Sequence, residues 1–145
     1  MRNYEDLEVW QKAHALTVTV YRMTEGFPRA EMFGLTSQIR RAAASIGANL
    51  AEGCGRWTDL ELARYVQIAM GSASELQNHL RLARDLGFLG DSDFCVSIKA
   101  LTGVRQMLTA LVQTLRRTRK SVDSGSVLAN SEKRMAKSGK SRVQL

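Results

Sequence analysis

The sequence predicts an all-α protein, an up-down-up-down antiparallel four-helix bundle followed by a disordered basic C-terminal tail. Three observations predict it. A single proline, Pro28, occurs in 145 residues, so the strongest helix breaker is missing almost everywhere. Apolar residues recur at steps of three and four along four long stretches. Aromatic and β-branched residues nowhere alternate long enough to make a strand. Hydrophobic residues at 44% and charged residues at 24% are globular proportions, and the length suits one domain with a real core.

The first helix is expected to start at Asn3, an N-cap residue, with Glu5, Asp6 and Glu8 at the positive end of its dipole. Val9, Ala13, Leu16, Val20 and Met23 form its buried stripe, and Gly26 and Pro28 end it, the glycine as a C′ residue and the proline just beyond. The second helix spans about Glu31 to Gly53, burying Met32, Leu35, Ile39, Ala42, Ala43, Ile46 and Leu50. Thr58-Asp-Leu-Glu61 matches a capping box and opens the third, which turns Leu62, Tyr65, Val66, Ala69, Ala73, Leu76, Leu80 and Ala83 inward before Gly87 closes it. The fourth begins near Asp91 and carries Phe94, Ile98, Leu101, Val104, Leu108, Leu111 and Leu115. Short connectors make consecutive helices antiparallel neighbours. The periodicity stops near residue 120, giving a bundle domain over 1–120 and a flexible Ser/Lys-rich tail over 121–145.

The net charge is +7, a balance that suits nucleic acid, an anionic membrane or an acidic partner. Residues 1–120 hold 16 Lys/Arg against 12 Asp/Glu, and residues 121–145 hold 5 against 2. Cys54 and Cys95 are far apart, have no metal-ligand spacing and read as free thiols of a reduced, cytoplasmic protein. The acidic N-terminus is no signal peptide, and no run approaches about 18 consecutive apolar residues, so no membrane partner is expected.

The second helix is unusual. Gln38, Arg41, Ser45, Asn49 and Glu52 form one polar stripe, and Ala44, Gly47 and Ala51 form a sector almost without side chains. Three readings fit the stripe: a solvated face, a hydrogen-bonded subunit interface, or a ligand site. Ser72 and Glu75, one turn apart on the third helix with Tyr65, Ile68, His79 and Leu82 continuing the same face, favour the interface. Gly47 costs about 1 kcal/mol of helix propensity relative to alanine, which argues for a packing reason. The expectation is that this helix has one neighbour more than a lone bundle supplies, a second copy of the chain.

The stretches VWQKA, FPRAEMFGLTSQIRRAAASIGANLAEGCGR and YVQIAMGSASELQNHL resemble the signature segments of the bacterial 23S rRNA intervening-sequence proteins, over residues 4 to about 118. The resemblance implies a four-helix bundle assembling as a homopentamer. It also implies a fold similar to the accessory proteins of diversity-generating retroelements, which bind nucleic acid and a reverse transcriptase. Arg41, Ser45, Asn49, Glu52, Gly53 and Arg56 match the family's R-x-x-x-S-x-x-x-N-x-x-E-G-x-x-R spacing.

Catalysis is not expected. Ser45 has no nearby histidine in sequence, since only His14 and His79 exist, both on semi-apolar faces. Glu52 and Glu75 could approach between helices, but paired carboxylates name no reaction by themselves. No phosphate loop follows Gly53-Cys54-Gly55, no zinc spacing occurs, and no cofactor or metal is implied. The expected activity is nucleic-acid binding through backbone phosphates, RNA or DNA, as an accessory to a larger nucleic-acid-processing protein. Arg116, Arg117, Arg119 and Lys120 are the main contacts, Lys133, Arg134, Lys137, Lys140 and Arg142 follow in the tail, and Arg40, Arg81, Arg84 and Arg105 add to the field. No exposed aromatic ladder suggests base stacking. Arg41, Ala44, Ser45, Gly47, Asn49, Glu52, Arg56, Ser72 and Glu75 are assigned to the subunit interface or its polar network. The alternative is a structural protein–protein interaction module without nucleic-acid binding.

Overall fold

The computed structural model describes residues 2–140, and all regular structure among them is helical. Four helices follow in order: α1 (Glu8–Thr24), α2 (Leu35–Cys54), α3 (Asp59–Asp85) and α4 (Asp91–Lys140), with 3-10 turns at Tyr4–Asp6 and Arg29–Glu31. Across the bundle, the contacts run in opposite senses along each neighbouring pair. Arg2 N donates to Cys54 O, and Thr17 Oγ1 to Ala43 O, so α1 and α2 are antiparallel. Ser45 meets Ser72 while Gly53 sits against Leu62, which reverses α3 against α2. Arg105 reaches Gln77 while Arg84 lies over Phe94, and Ser97 meets Met23, which closes α4 onto both α3 and α1. Consecutive helices thus pack together and α4 closes back on α1 around one core, the up-down-up-down arrangement.

Side-chain chemistry explains most element ends. Asn3 Oδ1 accepts from Glu5 N at 3.2 Å, but this caps the short first turn, and α1 proper starts only after Leu7. Thr58 Oγ1 accepts from Glu61 N at 3.2 Å, the predicted capping interaction of α3. Gly87, at φ 76°, ends α3 with Gly87 N bonded to Arg84 O and Phe88 N to Ala83 O, a Schellman motif. Gly26 takes the expected C′ place after the C-cap Glu25, though without a positive φ, and Phe27 tucks in against Phe88, ring centroids 6.0 Å apart.

Two further boundaries differ from the expectation. The second helix does not begin at Glu31: the 3-10 turn there breaks at Gly34, and Glu31 Oε2 instead caps α2 by accepting from Leu35 N at 3.0 Å. Met32, assigned to the buried stripe, is therefore exposed, and Phe33 is 95% exposed. The second correction is larger. Residues 121–140 are not a disordered tail but the continuation of α4; residues 141–145 lie outside the described residues. Leu115 is the last buried residue, and every described side chain from Arg116 to Met135 faces solvent. What ends near residue 115 is burial, not helicity. No proline interrupts the stretch, and local bonds support it: Arg119 pairs with Asp123 at 3.7 Å, and Ser124 Oγ donates to Lys120 O at 2.8 Å.

The helix therefore projects about 37 Å beyond the bundle, at about 1.5 Å per residue. This division relocates the charge. Residues 1–115 hold 12 Lys/Arg and 12 Asp/Glu, whereas residues 116–140 hold 8 and 2. The bundle is neutral and the projection carries +6. Because no side chain from Arg116 to Met135 is buried, truncation after Lys120 should leave the bundle's thermal midpoint unchanged within about 2 °C, a shift worth less than about 1 kcal/mol, in a circular dichroism melt.

The core is aliphatic, with Ile39, Ile46, Leu50, Leu76, Leu80, Leu101 and Leu108 fully enclosed, each burial worth about 1.5–3 kcal/mol. An 18-residue window of α4 has a mean hydropathy of 1.2 and is long and apolar enough to cross a membrane by length and composition. In this fold Leu101, Val104 and Leu108 of that helix sit inside the bundle, while Val96, Val122, Val127 and Leu128 are exposed.

Candidate functional site

The polar stripe of α2 lies along its junction with α3. Ser45 Oγ and Ser72 Oγ share a hydrogen bond of 2.9 Å, and Asn49 Nδ2 donates to both Ser45 O (2.8 Å) and Ser45 Oγ (3.0 Å). Ser72 is buried, and Ser45 and Asn49 are half-buried. Towards the C-terminal end of α2, Arg56 donates to Glu52 Oε1 and to Tyr65 OH, both at 2.7 Å, with its guanidinium 5.1 Å from the Tyr65 ring centre. Further along α3, His79 Nε2 lies 3.3 Å from Glu75 Oε1; a carboxylate can only accept, so Nε2 carries the proton. That leaves His79 Nδ1 buried without a partner.

The stripe is thus three local groups rather than one site. Ser45, Asn49 and Ser72 are joined, Glu52 and Arg56 are joined with Tyr65, and Glu75 is joined with His79. Glu52 and Glu75, the carboxylates that could have met, have separate partners. Arg41 is exposed and makes no hydrogen bond or ion pair among the described residues. Tyr65, read both as an inward residue and as part of this face, is half-buried, and its hydroxyl accepts the Arg56 hydrogen bond. Beside these groups Ile68 and Leu82 stand exposed, so the face mixes satisfied polar groups with open apolar ones.

The small-residue sector has a reason inside the chain. Gly47 is buried beneath Trp10: a Cβ there would lie 3.3 Å from Trp10 Nε1. Trp10 in turn stacks on His14 at 4.8 Å and takes the edge of Tyr4 at 5.0 Å. The extra neighbour demanded by Gly47 is α1, while Ala44 stays exposed in a shallow groove of about 420 Å³ shared with Trp10 and Tyr21. Gly47→Ala should gain about 1 kcal/mol of helix propensity and lose a similar amount in shifting the indole. A melt within about 0.5 kcal/mol of the parent is expected, with a displaced Trp10 emission maximum.

The basic residues divide into two sets. Arg40 donates to Thr24 Oγ1 (2.8 Å) and Tyr21 O (3.3 Å) and lies 4.8 Å over the Tyr21 ring, tying α2 to α1. Arg84 pairs with Asp85 and stacks 4.1 Å over Phe94, and Arg105 bonds Gln77. These three are structural. Arg81 is exposed, as are Arg116, Arg117, Arg119 and Lys120, which start the projection. Beside that start lies a residue sequence reasoning missed. Trp57, in the α2–α3 connector, is 83% exposed. Its signal was its place outside every apolar stripe.

Among the described residues no group of three His, Cys, Asp or Glu could hold a metal ion. Cys54 is a buried free thiol, and burial pushes its pKa up against a smaller lowering by the Arg2 charge. At neutral pH it is protonated and unreactive.

The fold and its polar seam define a class, the antiparallel four-helix bundles with a hydrogen-bonded α2–α3 face. The family model for 23S rRNA-intervening sequence proteins matches residues 5–110, and the chain belongs to that family. The match ends before the projection begins. A 1.70 Å crystal structure of a protein with unknown function from the S23 ribosomal protein family, from Bacteroides thetaiotaomicron VPI-5482, is similar in fold. It aligns with a TM-score of 0.68 and 20% identity, covering 72% of this chain and 95% of that one. No curated protein matches the chain.

Proposed function

We propose that the protein is a non-enzymatic, cytoplasmic homo-oligomer that binds RNA or DNA through backbone phosphates, as an accessory to a larger nucleic-acid-processing protein. One observation carries the binding: a neutral bundle bears a helix whose described side chains from Arg116 to Met135 are all solvent-exposed, 6 of them basic and 2 acidic. A charged rod whose described side chains are exposed offers its cations to a polyanion at little desolvation cost. Membership in a family named for an intervening sequence of 23S rRNA agrees with this. Repetition of the rod in an oligomer multiplies weak phosphate contacts into useful affinity. Filter binding across a salt series tests it: retention should fall steeply with salt, and absence of retention at low salt rejects it.

The α2–α3 face supports assembly, five copies being the number the family resemblance implies. Its short polar groups are already bonded to one another, so covering them strands few donors, and Ile68 and Leu82 are available to bury. Light scattering that returned the monomer mass of 16.1 kDa at micromolar concentration would refute assembly. The same face supports the second reading, a protein–protein module without nucleic acid. A partner that survives nuclease treatment, with no co-purifying nucleic acid, would favour it.

A further inference from the structure

Where α4 leaves the bundle, it forms a groove of about 860 Å³ with the start of α3 and the connector before it. Its apolar lining includes Trp57, Leu60 and Val122, all exposed. Exposure of one large apolar residue is ordinary, but an indole open over most of its surface, next to two further apolar side chains, marks a contact surface. The same groove is lined by Arg64, Arg116 and Lys120, none of which has an acidic partner among the described residues. The two carboxylates present are already engaged, Asp59 by Arg2 at 3.1 Å and Asp123 by Arg119 at 3.7 Å. The groove therefore offers a π-face and uncompensated cations together.

We infer that this groove binds single-stranded nucleic acid, one unpaired base stacking on Trp57 while Arg64, Arg116 and Lys120 hold the flanking phosphates. The inference rests on the nucleic-acid reading above and narrows it. A cationic rod alone serves a duplex and a single strand alike, since both present phosphates. An exposed indole adds something only an unpaired base can use, because duplex bases already stack on one another. Charge complementarity also argues against an apolar peptide as occupant, which would leave three guanidinium and ammonium groups without counter-charge.

The test is fluorescence anisotropy with labelled oligothymidylate of about 16 nucleotides, in the range such platforms span, and with a duplex of equal length, using the full chain. The parent should bind the single strand and quench Trp57 emission. Trp57→Ala should weaken single-strand binding about ten-fold, the worth of one stacked base, with duplex affinity and salt slope unchanged. Trp57→Phe should restore most of the loss. Circular dichroism should show unaltered helicity, because the indole packs on little. Single-strand binding by Trp57→Ala equal to the parent's overturns the stacking while leaving the phosphate reading intact. Failure of the parent to bind either oligonucleotide at low salt overturns both.

Discussion

Gly53→Val should destabilise the protein by at least about 3 kcal/mol, lowering the thermal midpoint by about 10 °C, with loss of helical signal as the readout. A Cβ at Gly53 would lie 2.8 Å from Leu62 Cδ1 and 2.8 Å from Tyr65 Cβ, with Leu62 Cα at 3.5 Å. The Leu62 methyl can rotate, although it is buried; the Tyr65 Cβ is fixed to the backbone and cannot move without α3. Valine adds two further carbons at the same place, so the ends of α2 and α3 must separate. Separation also breaks the Arg56–Tyr65 bond and exposes the buried Leu62 and Cys54. Gly47→Ala gives the contrast, because its single neighbour is the edge of a half-buried indole that can give by a few tenths of an ångström. A Gly53→Val protein that melts like the parent would show that the helices are not held this closely.

Those two glycines also show what the sequence could and could not reveal. Gly47 stood out as costly inside a helix, which signals close packing but not which neighbour packs there, whereas Gly53 read only as part of the end of the helix. Gly47 suggested another subunit, and the neighbour is Trp10 of α1. Capping was legible where the chemistry is local: Thr58 with Glu61 and the Gly87 terminus follow from residues within one turn. The start of α2 was less so, because Gly34 breaks an apolar pattern that otherwise runs on from Met32, and periodicity does not register backbone torsions. The end of α4 failed for a different reason. Apolar periodicity reports burial against neighbours, and α4 outlives its neighbours. Once α3 and α1 stop, the helix has no core to point at, so a pattern-based reading sees disorder where the backbone is still helical.

The polar residues of α2 were correctly grouped by face, since 100° per residue fixes that, but their partners come from α3 and depend on the register between helices. Ser45–Ser72 and Arg56–Tyr65 therefore needed the structure. The cations needed it even more. Arg40, Arg84 and Arg105 are indistinguishable from Arg116 in composition, yet aromatic rings or amide and hydroxyl partners occupy them.

That distinction gives the second large expected effect. Replacing Arg116, Arg117, Arg119 and Lys120 together with glutamine should reduce nucleic-acid affinity about 100-fold or more near physiological salt, and lower the slope of log K against log salt by about 3. The melt should be unaffected, because all four side chains are exposed and only Arg119 has an acidic partner. Arg40→Gln and Arg105→Gln should do the reverse. Each removes a bond between helices, Arg40 to Thr24 and Arg105 to Gln77, so stability should drop by about 1 kcal/mol while the salt slope stays put. Salt slope counts phosphates neutralised, whereas affinity alone also responds to misfolding, so the pair of readouts separates a contact from a scaffold. If the quadruple variant kept the parental slope, the projection would not be the binding element. If Arg40→Gln changed the slope as strongly, the field would be spread over the bundle and the division at Leu115 would lose its functional meaning.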